Sequence, residues 1–206
     1  QDTSLLFNPL NQKNSTREAS VFFQDKWKIN RKFNLQSGIR TTKYSLHNQI
    51  YFDPRLGLKY NYSDNIAFKF NWGVYHQFLT TATNQDENLR IVELWLGIPK
   101  DKKASVSQHF IGGFEYLTAK NIFLRVETYN KTFDNLLTLK ESALDTEDED
   151  ENPTDTMSTA NEFWDTKGNS HGLELLIKKS SGRLNGWVGY TYSKTKYNNE
   201  ISGNHY

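Results

Sequence analysis

Apolar and polar residues alternate along most of this chain with a period of two rather than 3.6, the mark of strands with two unlike faces. Eight stretches show it: residues 18–29, 33–46, 52–62, 66–79, 105–118, 122–139, 170–179 and 184–196. In the fourth, Ile66, Phe68, Phe70, Trp72 and Val74 share one face, and Ala67, Lys69, Asn71, Gly73, Tyr75 and Gln77 share the other. The third sets Leu56, Leu58, Tyr60 and Tyr62 against Arg55, Gly57, Lys59 and Asn61. The sixth sets Ile122, Leu124 and Val126 against Arg125 and Glu127, and the seventh sets Leu173, Leu175 and Ile177 against Glu174 and Lys178.

The connections alternate as strictly as the residues do. Those at 30–32, 63–65, 119–121 and 180–183 are tight, and the three between them, including roughly 80–104 and 140–167, are longer. The apolar stretch 89–98 is placed inside the first of these long loops, because a ninth full strand would switch the sides of every later turn. A meander of this kind puts all tight turns on one rim and all long loops on the other, as transmembrane barrels do. Each stretch reaches the roughly 9–11 residues a tilted transmembrane strand requires, whereas strands of soluble proteins average about 5–6. A soluble sheet with one wet face accounts for the alternation but not for strand length, loop asymmetry and aromatic content together.

Composition narrows the reading further. The chain has 206 residues, with 13 Phe, 11 Tyr and 5 Trp in a sequence that is otherwise polar. No run of 18 apolar residues exists, which excludes a transmembrane helix but not a barrel, where only alternate residues need be apolar. A formal net charge of +1 gives no basic footprint for nucleic acid. With no cysteine there is no disulfide framework, thiolate metal site or cysteine nucleophile. The only methionine is Met157 and the first residues lack a signal-peptide pattern, so the numbering is expected to start inside a longer chain.

These features imply lipid against the apolar face and a lumen against the other, making Arg55, Lys69, Arg125, Glu127 and Glu174 candidate lumen-facing residues. Asp25 shares its face with Val21, Phe23 and Trp27, and is expected near the tight-turn rim, where a charge in lipid costs little. Trp27, Tyr60 and Tyr62 near that same side suggest an aromatic girdle.

The order and spacing of several short motifs resemble the barrel domain of TonB-dependent outer-membrane receptors, in particular those of Bacteroidota-like bacteria. The motifs are Phe23-Gln24-Asp25 in the first stretch, Leu35-Gln36-Ser37-Gly38-Ile39-Arg40 in the second and Pro54-Arg55 opening the third. Gly172-Leu173-Glu174 and Gly186-Trp187-Val188-Gly189-Tyr190 follow in the last two. The resemblance covers nearly all of residues 18–198. It implies an all-β, antiparallel transmembrane barrel, of which residues 1–206 supply about eight of 22 strands. It also implies a plug domain and a TonB-contacting segment that lie outside this sequence, as do the final strands.

The function implied is TonB-dependent, energy-coupled uptake of a scarce ligand across the bacterial outer membrane, with outer-membrane lipid and the TonB complex as partners. The ligand is not legible. The alternative is a non-transport outer-membrane receptor, adhesin or scaffold that works through its loops. By themselves the 206 residues are expected not to close into a barrel.

Candidate chemistry is sparse. His47, His76, His109, His171 and His205 show no paired metal-ligand spacing, and no Gly-x-Ser-x-Gly elbow is present. No catalytic residue, metal site or cofactor is predicted. The loop 140–167 carries carboxylates throughout, among them Asp148, Glu149 and Asp150, with no basic residue between Lys140 and Lys167. It is expected to be extracellular and mobile, to act by charge on an approaching ligand, and to be anchored by Phe163 and Trp164. Calcium binding there is an open alternative, although the EF-hand spacing is absent.

Overall fold

A computed structural model describes residues 15–82, 94–139 and 163–199. The strands are β1 (Glu18–Lys28), β2 (Phe33–Tyr44), β3 (Ile50–Asn61), β4 (Ile66–Gln77), β5 (Leu79–Ala82), β6 (Leu94–Gly97), β7 (Ser105–Leu117), β8 (Ile122–Leu139), β9 (Phe163–Lys179) and β10 (Gly186–Asn199). Eight of them form one sheet in the order β1-β2-β3-β4-β7-β8-β9-β10, while β5 and β6 pair only with each other. Every pairing is antiparallel. Among the described residues β1 and β10 are the two edges and do not pair with each other.

The eight long strands are the eight alternating stretches of the sequence. Among the described residues of the apolar stretch at 89–98, 94–97 form the short β6, inside the long connection. β9 starts at Phe163, ahead of the alternation at 170–179, and pairs with β8 through Leu139↔Phe163 and Thr138↔Trp164. Asp165, Thr166, Lys167 and Gly168 give this first part of β9 no apolar face, so no period of two announces it.

Three tight turns are closed by the side chain of their own first polar residue. Asn30 Oδ1 accepts from the backbone N–H groups of Lys32 and Phe33, at 2.8 and 2.9 Å. Ser63 Oγ accepts from Asn65 and Ile66, and Thr118 Oγ1 accepts from Ile122. These are the backbone-mimicking bonds that favour Asn, Ser and Thr in turns. Asn121 follows its turn with φ 57°, the left-handed position that ends a three-residue hairpin loop.

The register puts Val21, Phe23, Trp27, Leu56, Leu58, Tyr60, Phe68, Phe70, Trp72, Leu124, Val126, Leu173, Leu175 and Ile177 on one face. A row across it reads Tyr60↔Phe68↔Phe114↔Val126↔Leu175↔Tyr190, apolar or aromatic on all six strands. At its β2 end Phe33 stacks on Tyr60 at 4.6 Å, and Phe68 meets Phe114 at 5.5 Å, so the aromatics near the tight turns form a continuous line. Asp25 lies close to that rim with its carboxylate on the Trp27 indole N–H and the Lys26 backbone N–H.

Four residues further from the turns the row reads Leu56↔Trp72↔Phe110↔Asn130↔His171↔Lys194: apolar on three strands, polar on the next three. The apolar band therefore slides toward the tight turns as it crosses the sheet, from Val21 on β1 down to Tyr192 on β10. At about 3.3 Å per residue and 4.8 Å per strand step, that slide is a slope of roughly 25–30°. Strands tilted against the plane of an apolar belt produce this slide, and closing a sheet into a barrel requires such a tilt. Residues 130–132 of β8, 165–171 of β9 and 194–196 of β10 stand beyond the belt and are polar on both faces.

Phe70 lies mid-band and Asn71 on the opposite face. Phe70→Lys should destabilise the protein in a bilayer by about 2–4 kcal/mol, and Asn71→Lys by less than about 0.5 kcal/mol. Urea unfolding of the full-length protein from lipid vesicles reads the difference. Equal losses at the two positions would mean the register is off by one residue.

Candidate functional site

The other face is mainly polar, with Ile111 and Leu176 among its exceptions, and the sheet is concave toward it. Lys26, Lys28 and Asn34 of β1 and β2 line one cavity of about 950 Å³ together with Lys59, Lys69, Asn71 and, across the sheet on β8, Glu127. One cavity bounded by strands so far apart in the sheet order requires the sheet to curl toward this face.

All five lumen candidates from the sequence lie here. Lys69, Glu127 and Glu174 belong to a single row, Lys59↔Lys69↔Gly113↔Glu127↔Glu174. The row is basic at its β3–β4 end and acidic at its β8–β9 end. Glu127 and Glu174 face each other directly, an unfavourable pairing that Arg125 offsets by reaching Glu127 at 3.3 Å. Arg55 lies over the Tyr75 ring, its Cζ 4.8 Å from the centroid. Tyr75 stacks in turn on His109 at 4.6 Å.

Sequence reasoning missed the residue that organises this row. Glu115 on β7 sits largely buried between Lys69, with which it makes a short ion pair, and Lys59, at 3.2 Å. Arg125 is its register partner on β8. One carboxylate thus neutralises cations from β3 and β4. The lysines are 46 and 56 residues away in sequence, so only the register reveals the cluster.

At the rim away from the tight turns, the connection after β4 folds back over the polar face. Phe78 is buried, stacked on Tyr44 at 5.0 Å and edge-on to Tyr51 at 4.8 Å. His47, in the β2–β3 loop, is buried beside both tyrosines. Its Nε2 lies 2.9 Å from the Pro99 carbonyl, which can only accept, so Nε2 carries the proton and Nδ1 is left to meet the Tyr51 hydroxyl. Asp53 bonds His76 Nδ1 at 2.6 Å just below.

On the other side, fully buried Ile98 packs on Leu137 of β8, Thr80 Oγ1 donates to the Leu137 carbonyl, and Lys102 pairs with Asp165 of β9 at 3.0 Å. Residues 78–82 and 94–102 therefore tie β2 to β8 and β9 as a cap. Gly97 makes the close approach possible, since a Cβ there would lie 2.5 Å from the Tyr44 hydroxyl and 2.7 Å from Thr16 Cγ2.

Other expected features are distributed as follows. His109 and His76 contribute to the polar face, His47 to the cap, and His171 falls among the polar residues beyond the apolar band. Phe163 and Trp164 are the first two residues of β9, paired with the end of β8. Asp148, Glu149 and Asp150, with His205, lie outside the described residues. Gly172 is closely approached by the Tyr129 ring.

The model of the family described as TonB dependent receptor-like, beta-barrel, matches residues 2–206. The chain belongs to that family, an outer-membrane transport and receptor fold rather than a catalytic one. No curated protein sequence matches it. Among solved structures it is similar to the siderophore receptor PirA from Pseudomonas aeruginosa, at TM-score 0.62 and 14% identity over 88% of this chain and 36% of that one. It is also similar to the RagAB peptide importer, at TM-score 0.61 and 11% identity over 90% and 23%. The ferric-catecholate import receptor Fiu from E. coli gives 0.57 and 14% over 88% and 28%. At these identities the likeness is one of fold, and the chain spans well under half the length of each of the three.

Two substitutions probe the site. Glu115→Gln should leave Lys59 and Lys69 unneutralised and cost about 1–2 kcal/mol, discounted because both lysines are partly exposed. Urea unfolding in detergent measures this, and adding Lys69→Met should restore part of the loss. Gly97→Ala should loosen the cap by about 1–3 kcal/mol through overpacking against Tyr44. Hydrogen exchange should then lose protection at Leu79–Ala82 while β2 and β3 keep theirs.

Proposed function

We propose that this chain is part of the wall of an outer-membrane barrel that imports a scarce ligand, driven by the TonB complex through parts of the protein outside this sequence. In this reading the apolar band contacts outer-membrane lipid, and the concave face lines the ligand's path. Residues Arg55, Lys69, Arg125, Glu127 and Glu174 then face the lumen, and the cap lies on the extracellular rim. The observation that carries the proposal is the polar, cavity-bearing concave face backed by a continuous apolar band, in a chain whose family is that of TonB-dependent barrels. A scaffold or adhesin needs the band but has no use for a charged interior wall with space inside it.

The carboxylates at 148–150 enter as a steering charge at the entrance, acting at long range and weakening with salt. The proposal predicts that cells carrying the full-length protein deplete one component of their medium faster than cells lacking it, and that this advantage disappears when the TonB complex is disrupted. Mass spectrometry of spent medium follows both arms. Depletion that persists without TonB, or surface binding without depletion, would favour the receptor or adhesin reading.

A further inference from the structure

A second cavity, of about 430 Å³, opens on the concave face toward the capped rim. It is set by four side chains around one glycine. The register pairs Phe22 with Arg40, Gln24 with Gly38, and Gly38 with Arg55. Gly38 thus forms a floor between two arginines and an aromatic ring. A Cβ on Gly38 would lie 3.1 Å from the Phe23 carbonyl oxygen and 3.4 Å from the Gln24 side chain, so the floor exists because no side chain fills it.

Both guanidiniums have capacity to spare. Arg40 reaches Glu18 at 2.8 Å and Ser20 at 2.9 Å, both from Nη2, leaving Nε and Nη1 without a partner among the described residues. Arg55 rests on Tyr75 and makes no ion pair among the described residues. Phe22 borders the same cavity and brings an aromatic ring to it.

We propose that this notch is a subsite for an aromatic carboxylate group carried by the imported ligand. Guanidinium forks match a carboxylate with two parallel hydrogen bonds, and hold it better than a point charge can. The ring attached to such a carboxylate lies beside Phe22, where offset or edge contact adds to the apolar burial. Arg55 is held in position by Tyr75, which reduces the entropy lost when it grips an anion. Among the described residues Glu18 is the one carboxylate engaged with either arginine, so the local balance favours an anion. This inference rests on the reading that the concave face lines the ligand's path, and adds which chemical group that path grips.

The test is direct binding of benzoate to the full-length protein in detergent, followed by calorimetry at physiological salt. Saturable binding is expected. Arg40→Gln and Arg55→Gln should each weaken it by about ten-fold, the loss expected for one charge-assisted hydrogen bond. Arg40→Lys with Arg55→Lys should also weaken it, because charge is kept but the fork is lost. Phe22→Leu should weaken benzoate more than cyclohexanecarboxylate. Benzylamine and inorganic phosphate should not compete.

Absence of saturable benzoate binding, full affinity in the double glutamine or double lysine variant, or equal competition by phosphate would each overturn the proposal. Heat-resistant migration of every variant on gels confirms an intact barrel. The measurement needs no energy source, so a failure here is separate from a failure of TonB-coupled uptake, which the depletion experiment reads.

Discussion

A bilayer interior offers no hydrogen-bond partner to a peptide group, and this structure follows from that constraint. Every backbone N–H and C=O that crosses must be met within the protein, which leaves ladders between long strands as the only solution for a chain with no apolar helix. The ladders then dictate the period of two, because only one side of each strand touches hydrocarbon. They also dictate how the chain reverses. Asn30, Ser63 and Thr118 supply side-chain acceptors where the ladder runs out, so the turns can be tight. Among the described residues β1 and β10 have open edges, consistent with a segment of a larger barrel, since an unpaired strand edge has no place in lipid.

Meeting the backbone's demands leaves the inner face to carry charge. Cations from β3 and β4 crowd together at Lys59 and Lys69, and a single glutamate on the next strand relieves them. Two glutamates then oppose each other on β8 and β9, with Arg125 beside them. The wall is therefore a patchwork of local neutralisation that leaves a few groups, such as Arg55, turned toward open space.

What could be read from the sequence divides along the same line. The eight strands, their faces and the sides of their turns were legible because lipid imposes a repeating pattern over many residues. The face of Arg55, Lys69, Arg125, Glu127 and Glu174 followed from counting odd and even positions. The start of β9 was not legible, since Asp165 to Gly168 stand beyond the belt and nothing forces them to alternate. The extra residue of β8 near Asn135, held at φ 55° with its carbonyl on Ser105, was also hidden, because a bulge leaves no mark in composition. Neither Glu115 nor the cap around His47 could be found, since their partners meet only after folding. His47 in particular stands in no spacing that marks it, yet it is buried between two tyrosines.

The slide of the apolar belt across the sheet bears on how such a wall can be lengthened or recombined. Depth in the membrane is not a property of a hydrogen-bonded row; residues at one depth lie along a diagonal, so that Trp72 and Leu175 are nearer equals than Trp72 and His171. A hairpin is therefore interchangeable with another only if its own two strands already contain the stagger. A duplicated hairpin of this kind adds two strands and keeps the belt level, whereas one borrowed from a flat sheet would enter with a suitable composition at the wrong height.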